Sequence, residues 1–244
     1  MAPMSCQLCN VAKMVVIPAE AGIQKHRNSR EYLIPVFAGM TTGRHLIAGA
    51  LLTRRLNRLD PVSSSVMPDL IRHPQEIKFM IDPALTKNLE LDEKGIWTSP
   101  EISSVSYPDS THDYLFSIEE NSFWFKHRNK CIPLIIQQFP PKEYIMDVGG
   151  GNGCVSLALQ YTGFKVILLE NGSEGTLNAR KRGIRDILHT SFQDTGFPEN
   201  PVDSIGLFDV LEHIEDDQEF LRPAANAMKK ESRLYITVPA HMYL

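Results

Sequence analysis

The apolar and polar positions of this chain fall into two regimes that meet near Met80. Upstream, no period of 3.6 or 2 is sustained. Short apolar scraps alternate there with Pro, Gly, Ser and Arg, so residues 1–79 are expected to be a poorly ordered leader, dispensable for stability and ligand binding. Residues 82–118 carry Pro83, Pro100, Pro108 and several Ser/Asp turn signals, which predict loops and one short helix. The stretch "IEENSFWFKHRNKCIPLIIQQF" then predicts a helix around 121–139, N-capped by Asn121 or Ser122. On that helix Phe123, Lys126, His127 and Lys130 share one face and Trp124, Arg128 and Cys131 another, with Pro133 breaking or restarting it.

From Tyr144 the rhythm becomes regular. Strands are predicted over 144–148, 164–169, 186–192, 204–210 and 233–238, and helices over 152–161, 174–182 and 217–229, with Gly163 and Gly183 as helix stops. Strand alternating with helix implies an α/β fold with a doubly wound, mostly parallel, Rossmann-like sheet. The chain divides accordingly into the leader, a cap segment over 80–143 and a ligand-binding core over 144–244. Ligands of such sheets sit beyond the carboxyl ends of the strands, at the switch point.

The first regular strand runs into glycines, "IMDVGGGNG". Gly149, Gly151 and Gly153 occupy the alternate positions of D-x-G-x-G-x-G, where a ligand can approach the backbone and φ can be positive. Glu170 ends the next strand, placed to accept hydrogen bonds from ribose hydroxyls. The glycine pattern alone is compatible with NAD. Asp147, however, puts a carboxylate beside the loop, which suits a cationic ligand better than a pyrophosphate. Ser156 stands where the third glycine or alanine of G-x-G-x-x-G would fall. The fourth regular strand closes in "SIGLFDVLEHIEDD".

With these motifs the chain resembles a class I S-adenosylmethionine-dependent methyltransferase of the group carrying "FDVLEHI". The resemblance covers about residues 115–240, with "MDVGGGNG", "LLEN" and "LYITVPA" as further matches and "ENSFWFKHRN" similar to a subgroup's cap helix. It implies a Rossmann-like methyltransferase fold and S-adenosyl-L-methionine as cofactor. It also implies roles for individual residues. Asp147 with the backbone at Gly149, Gly151 and Gly153 would hold the methionyl end, and Glu170 the ribose, with Asn171 beside the adenine. Ser191 and Phe192 stand at the second adenine position, with Asp194 as a substitute acceptor. Phe208 and Asp209 would line the pocket near the sulfonium. His213 and His127 are the catalytic candidates, with Glu212 beside them, should the acceptor need to lose a proton.

Charge narrows the acceptor. Residues 1–79 hold ten Lys/Arg and five Asp/Glu, a net of +5, and residues 80–244 hold fifteen and twenty-four, a net of −9. An acidic body does not recruit nucleic acid by charge, so no nucleic-acid partner is expected and a small-molecule methyl acceptor is favoured. Cys6 and Cys9 form a C-x-x-C without a second pair at zinc spacing, so no metal is expected; Cys131 and Cys154 read as buried thiols. The apolar run from Leu46 to Leu52 is too short for a bilayer, so no membrane association and a cytoplasmic protein are expected.

"VIPAEAGIQ", "IPVFAGMTTG" and "SSSVMPDLIRHP" resemble translated bacterial genomic repeats, and Met80 would serve as an alternative start. The chain ends after the fifth regular strand, whereas the resemblance implies two further strands, one antiparallel. The C-terminal strands are therefore expected to be missing, and residues 234–238 to form an exposed, self-associating edge. Three functions follow from these readings: methyl transfer to a small molecule, cofactor binding by a non-catalytic fragment, and NAD-dependent oxidoreduction.

Overall fold

A computed structural model describes residues 12–18, 88–100, 110–199 and 201–239. The described elements, in chain order, are β1 (Ala12–Pro18), β2 (Glu90–Leu91), β3 (Trp97–Thr98), α1 (Ser110–Glu119) and α2 (Phe123–Ile136). They continue with β4 (Ile145–Val148), α3 (Cys154–Tyr161), β5 (Val166–Glu170), α4 (Ser173–Lys181) and β6 (Asp186–His189). The last three are β7 (Val202–Phe208), α5 (Asp217–Ala227) and β8 (Met228–Pro239). Ser122 is the N-cap of α2, and Pro133 lies inside that helix.

The strands form one eight-stranded sheet in the order β1-β8-β7-β4-β5-β6-β3-β2. The five strands β4 to β8 run parallel, while β1 and β2 pair antiparallel at the two ends. The chain passes from β4 to β5 and β6 on one side, then returns to β7 and β8 on the other. The carboxyl end of β4 is thus the switch point, and the glycine loop begins there.

Burial on both faces explains why the central strands read as near-continuous apolar runs. Met146, Val148, Ile167, Leu169, Ile205 and Leu207 pack in one core with Leu221 and Ala224 of α5. Ile145, Val166 and Tyr235 face a second core, built with Ile132 and Ile136 of α2 and Leu159 of α3. Leu168 and Ile187 meet Ala179 of α4 and Ile184 in a third. The fold is the Rossmann-like methyltransferase type expected from the sequence.

The short helix expected within 82–118 is α1, while the two-residue strands β2 and β3 of that segment and the strand β1 were not foreseen. β1 lies inside the expected leader, whose other residues up to 79 lie outside the described ones, Cys6 and Cys9 among them. β1 pairs along β8 from Ala12 opposite Pro239 to Pro18 opposite Arg233. The exposed fifth-strand edge is therefore corrected: residues 233–239 have an antiparallel partner. The reason is local chemistry, since "AKMVVIP" is rich in β-formers. Met14 and Val16 enter the second core and Ile17 the first, so the segment is buried on both faces and shows no alternation.

A chain beginning at Met80 would lose those three buried side chains, each contributing on the order of 1.5–3 kcal/mol. It would also open the β8 edge. We expect a lower melting temperature and light scattering that rises with concentration, suppressed by Ile236→Lys. Equal melting temperatures for the two chains would show that β1 adds nothing.

Candidate functional site

The site is built at the carboxyl ends of β4, β5 and β7. Its register follows from the pairing of Asp147 with Leu168 and of Val148 with Leu169, which brings the glycine loop beside the end of β5. Gly151 has φ +53°, the left-handed region. Among the described residues a Cβ there would meet only the His112 ring, at 3.8 Å. Gly153 has φ +75° and packs inward, where a Cβ would stand 3.0 Å from Ala179 and Ile184. The two glycines serve different ends, one leaving space and the other closing the loop on α4.

Glu170 is buried, with 7% of its surface exposed. Gly151 N–H donates to its Oε2 and Gly172 N–H to its Oε1, each at 2.7 Å. Two amides thus fix the carboxylate, and each oxygen keeps acceptor capacity for a further donor. Asn171 follows it, half-buried.

Asp147 is 1% exposed and accepts the Ser156 hydroxyl at 2.6 Å. Its other oxygen has no hydrogen-bond partner among the described residues. Burial pushes this carboxyl up from 3.8 to about 6, against the opposing pull of the Ser156 hydroxyl and the Arg128 guanidinium. Ser156, which counted against a dinucleotide fingerprint, is thus the residue that holds the loop's acid.

Asp209, just beyond β7, has φ +59°, an uncommon conformation for a non-glycine residue. Three contacts hold it there. Thr237 donates its hydroxyl to Oδ1 at 2.8 Å, the Asp209 N–H reaches the Thr237 carbonyl at 3.1 Å, and Arg128 pairs with Oδ2. The Arg128 guanidinium lies 4.7 Å from the Trp124 ring centre and 5.2 Å from that of Phe125. The N-terminal half of α2 therefore sits over the end of β7.

The remaining residues singled out in the sequence lie further round. Phe208 is buried in the core beneath α2. Ser191 donates to Asp194 at 2.5 Å, and Phe192 is buried edge-on to Phe197. His127 stacks on Phe123 at 5.7 Å and lies 3.8 Å from the Cys131 sulfur. His213 is exposed on the short 3-10 turn Leu211–His213, beside Glu212, whose carboxyl is raised by burial. Cys131, midway along α2, and Cys154, the first residue of α3, are half-buried, not buried as expected, and each has a polar neighbour in place of a wholly apolar surround, His127 for Cys131 and Asn129 for Cys154. Residues that sequence reasoning passed over include His112, Glu119, Asn152 and Arg182. Only burial marks them, and burial of a polar side chain is invisible in a single sequence.

The chain belongs to the methyltransferase domain family, whose model matches residues 121–243. No curated protein sequence matches it. Among solved structures it resembles a candidate S-adenosyl-L-methionine-dependent methyltransferase of Methanococcus maripaludis, with 19% identity and a TM-score of 0.48 over 56% of this chain and 65% of that one. A Bacteroides fragilis SAM-dependent methyltransferase in complex with S-adenosyl-L-homocysteine is similar at 18% identity and TM-score 0.40, over 54% and 65% of the two chains. A Haemonchus contortus phosphoethanolamine N-methyltransferase is similar at 20% identity and TM-score 0.45, over 54% and 33%. The matched region thus spans less than two thirds of each of these proteins. Among the described residues no helix is long and apolar enough to cross a membrane, and no cluster of His, Cys, Asp and Glu could hold a metal.

Asp147 provides a test of the site's electrostatics. Its carboxyl is raised on folding, so its stabilising contribution is full below about pH 4 and lost as pH rises toward 6. Asp147→Asn keeps an acceptor for Ser156 and removes the buried charge. We expect the variant to overtake the parent between pH 4 and 6, by on the order of 2–3 kcal/mol, and to hold that lead above pH 6. Denaturant midpoints at pH 4, 5, 6 and 8 would measure it. A pH-independent difference would refute the charged burial of Asp147.

Proposed function

We propose that this chain binds S-adenosyl-L-methionine at the ends of β4, β5 and β7 and transfers its methyl group to a small-molecule acceptor. The observation that carries the reading is the Glu170 carboxylate held by the Gly151 amide at a parallel strand end, in a chain of the methyltransferase domain family. The residues fit such a cofactor. Glu170 retains acceptor capacity for ribose hydroxyls, and among the described residues only the His112 ring comes near a Cβ at Gly151 and one Asp147 oxygen has no hydrogen-bond partner, an acceptor for a cation.

On this reading Asp147, Gly149, Gly151 and Gly153 hold the methionyl end and Glu170 the ribose. Asn171, Ser191 and Phe192 flank the adenine, and Phe208 and Asp209 border the reacting centre. The cofactor supplies a methyl group on a sulfonium, already a good leaving group. The protein's part is to align donor and acceptor and to exclude water. His213 or His127 would take a proton only where the acceptor must lose one. The acidic balance of residues 80–244, a net of −9, favours a small acceptor over nucleic acid.

Calorimetric titration with S-adenosyl-L-methionine, with NAD as control, tests the reading. Gly151→Val places a β-branched side chain where the loop must stay clear, and Glu170→Ala removes the ribose acceptor. Each is expected to lose at least about tenfold in affinity, or roughly 1.4 kcal/mol, with Glu170→Gln losing less. Parent-like binding by both would sink the assignment. A cation beside Asp147 favours its ionised form, so parental affinity should rise from pH 5 to 7 and level off. In Asp147→Asn this rise should disappear.

A further inference from the structure

The glycine loop is also gripped by a buried polar cluster that no role described above uses. Its centre is Asn152, 2% exposed and part of the loop itself. The Asn152 amide donates to the His112 carbonyl of α1 at 2.8 Å, and its oxygen accepts from Asn178 of α4 at 3.1 Å. Its backbone carbonyl accepts from Arg182 at 2.9 Å. The same guanidinium nitrogen pairs with Glu119 at 2.5 Å, the two side chains being 3% and 8% exposed. The Arg182 guanidinium also lies 4.4 Å from the centre of the Phe116 ring.

Resting on the cofactor reading above, we propose that Arg182 and Glu119 are positioning residues that set cofactor affinity through Asn152, by holding the backbone of residues 151–153, with Gly151 N–H on Glu170 and Gly153 N–H on the Gly150 carbonyl, in the conformation that receives the cofactor. The physical basis is the loop's composition. Glycines have the widest conformational freedom of any residue, so a loop of four must be ordered by its surroundings. Gly151 and Gly153 flank Asn152 directly, and Asn152 is the loop residue whose side chain can be anchored. Arg182 joins that anchor to α1 and α4 at once. A solvent-exposed pair of the same charges would contribute little, but a buried one leaves an uncompensated charge if either partner is removed. Truncating Arg182 therefore frees the Asn152 carbonyl and unbalances Glu119, and the loop should move.

Two measurements on the full chain decide it. The first is amide hydrogen exchange across residues 149–153 in the ligand-free protein. The second is the dissociation constant for S-adenosyl-L-methionine. For Arg182→Gln we expect exchange in 149–153 to accelerate at least tenfold, with residues 166–169 of β5 unchanged, and affinity to fall about tenfold. Arg182→Lys keeps the charge with fewer donors and should fall between. The paired variant Glu119→Gln with Arg182→Gln removes both charges. It should fold where the single variant does not, and still show fast exchange at the loop because the Asn152 carbonyl has lost its donor. Lys142→Ala, which breaks an exposed ion pair with Glu231 at 2.7 Å, is the control and should change neither quantity. Unchanged exchange at 149–153, or unchanged affinity in a folded Arg182 variant, would overturn the proposal. A parent that binds no S-adenosyl-L-methionine would instead fail the cofactor reading, and hydrogen exchange alone would then decide whether Arg182 positions the loop.

Discussion

The parallel pairing of β4 with β5, with Val148 opposite Leu169, determines where the glycine loop starts and where Glu170 stands. Everything at the site depends on that register. A slip of one residue would turn each side chain of β5 to the other face and carry the Glu170 carboxylate away from the Gly151 amide. The slip is opposed by packing on both faces at once, because Ile167 and Leu169 are buried in the first core on one face, and Val166 and Leu168 in the second and third on the other. Apolar packing thus fixes a polar contact. A hydrogen bond of net worth near 1 kcal/mol could not fix the register of two strands by itself.

The mouth so formed is acidic, and each of its carboxylates is held by a different device. Two backbone amides hold Glu170, a hydroxyl holds Asp147, and a guanidinium with a hydroxyl holds Asp209. The difference has chemical consequences. Amide donors on both oxygens keep a carboxylate in one rotamer with capacity to spare. A single hydroxyl on a fully buried carboxylate leaves it short of donors and raises its proton affinity. The strained backbone at Asp209 places a third acid at the same strand-end rim. Arrangements of this kind favour ligands carrying positive charge beside hydroxyl groups.

The sequence made the parallel core legible because its signals are local. Gly163 and Gly183, both at positive φ, end α3 and α4 where the text predicts, and the acid closing β5 is visible as the last residue of an apolar run. The residues sharing a face on α2 also come out as read, with Phe123 on His127 and Trp124 under Arg128. What was not legible depends on distant partners. A short helix is expected within 82–118, but not its place: α1, "STHDYLFSIE", has little apolar periodicity, and polar groups fasten it to the loop and to α4. Asn152 reads as the first residue of the helix expected over 152–161, whereas the helix begins at Cys154 and Asn152 is held in the loop by His112, Asn178 and Arg182.

β1 follows from the same physics in a less obvious way. A strand buried on both faces carries no alternation, so a search for period 2 passes over "AKMVVIP" and meets only a short apolar run after Lys13. The edge of β8 nonetheless demands a partner. Leu234, Tyr235 and Thr237 are almost wholly buried, and the row of N–H and C=O groups between them cannot be left unpaired beside two hydrophobic cores. The demand is readable from residues 233–238 alone; the identity of the partner is not, because pairing across nearly the whole chain leaves no trace in either segment taken singly. An unalternating apolar stretch in a region otherwise poor in pattern and an uncovered β-prone edge elsewhere are therefore complementary observations, and each acquires a structural meaning only when set beside the other.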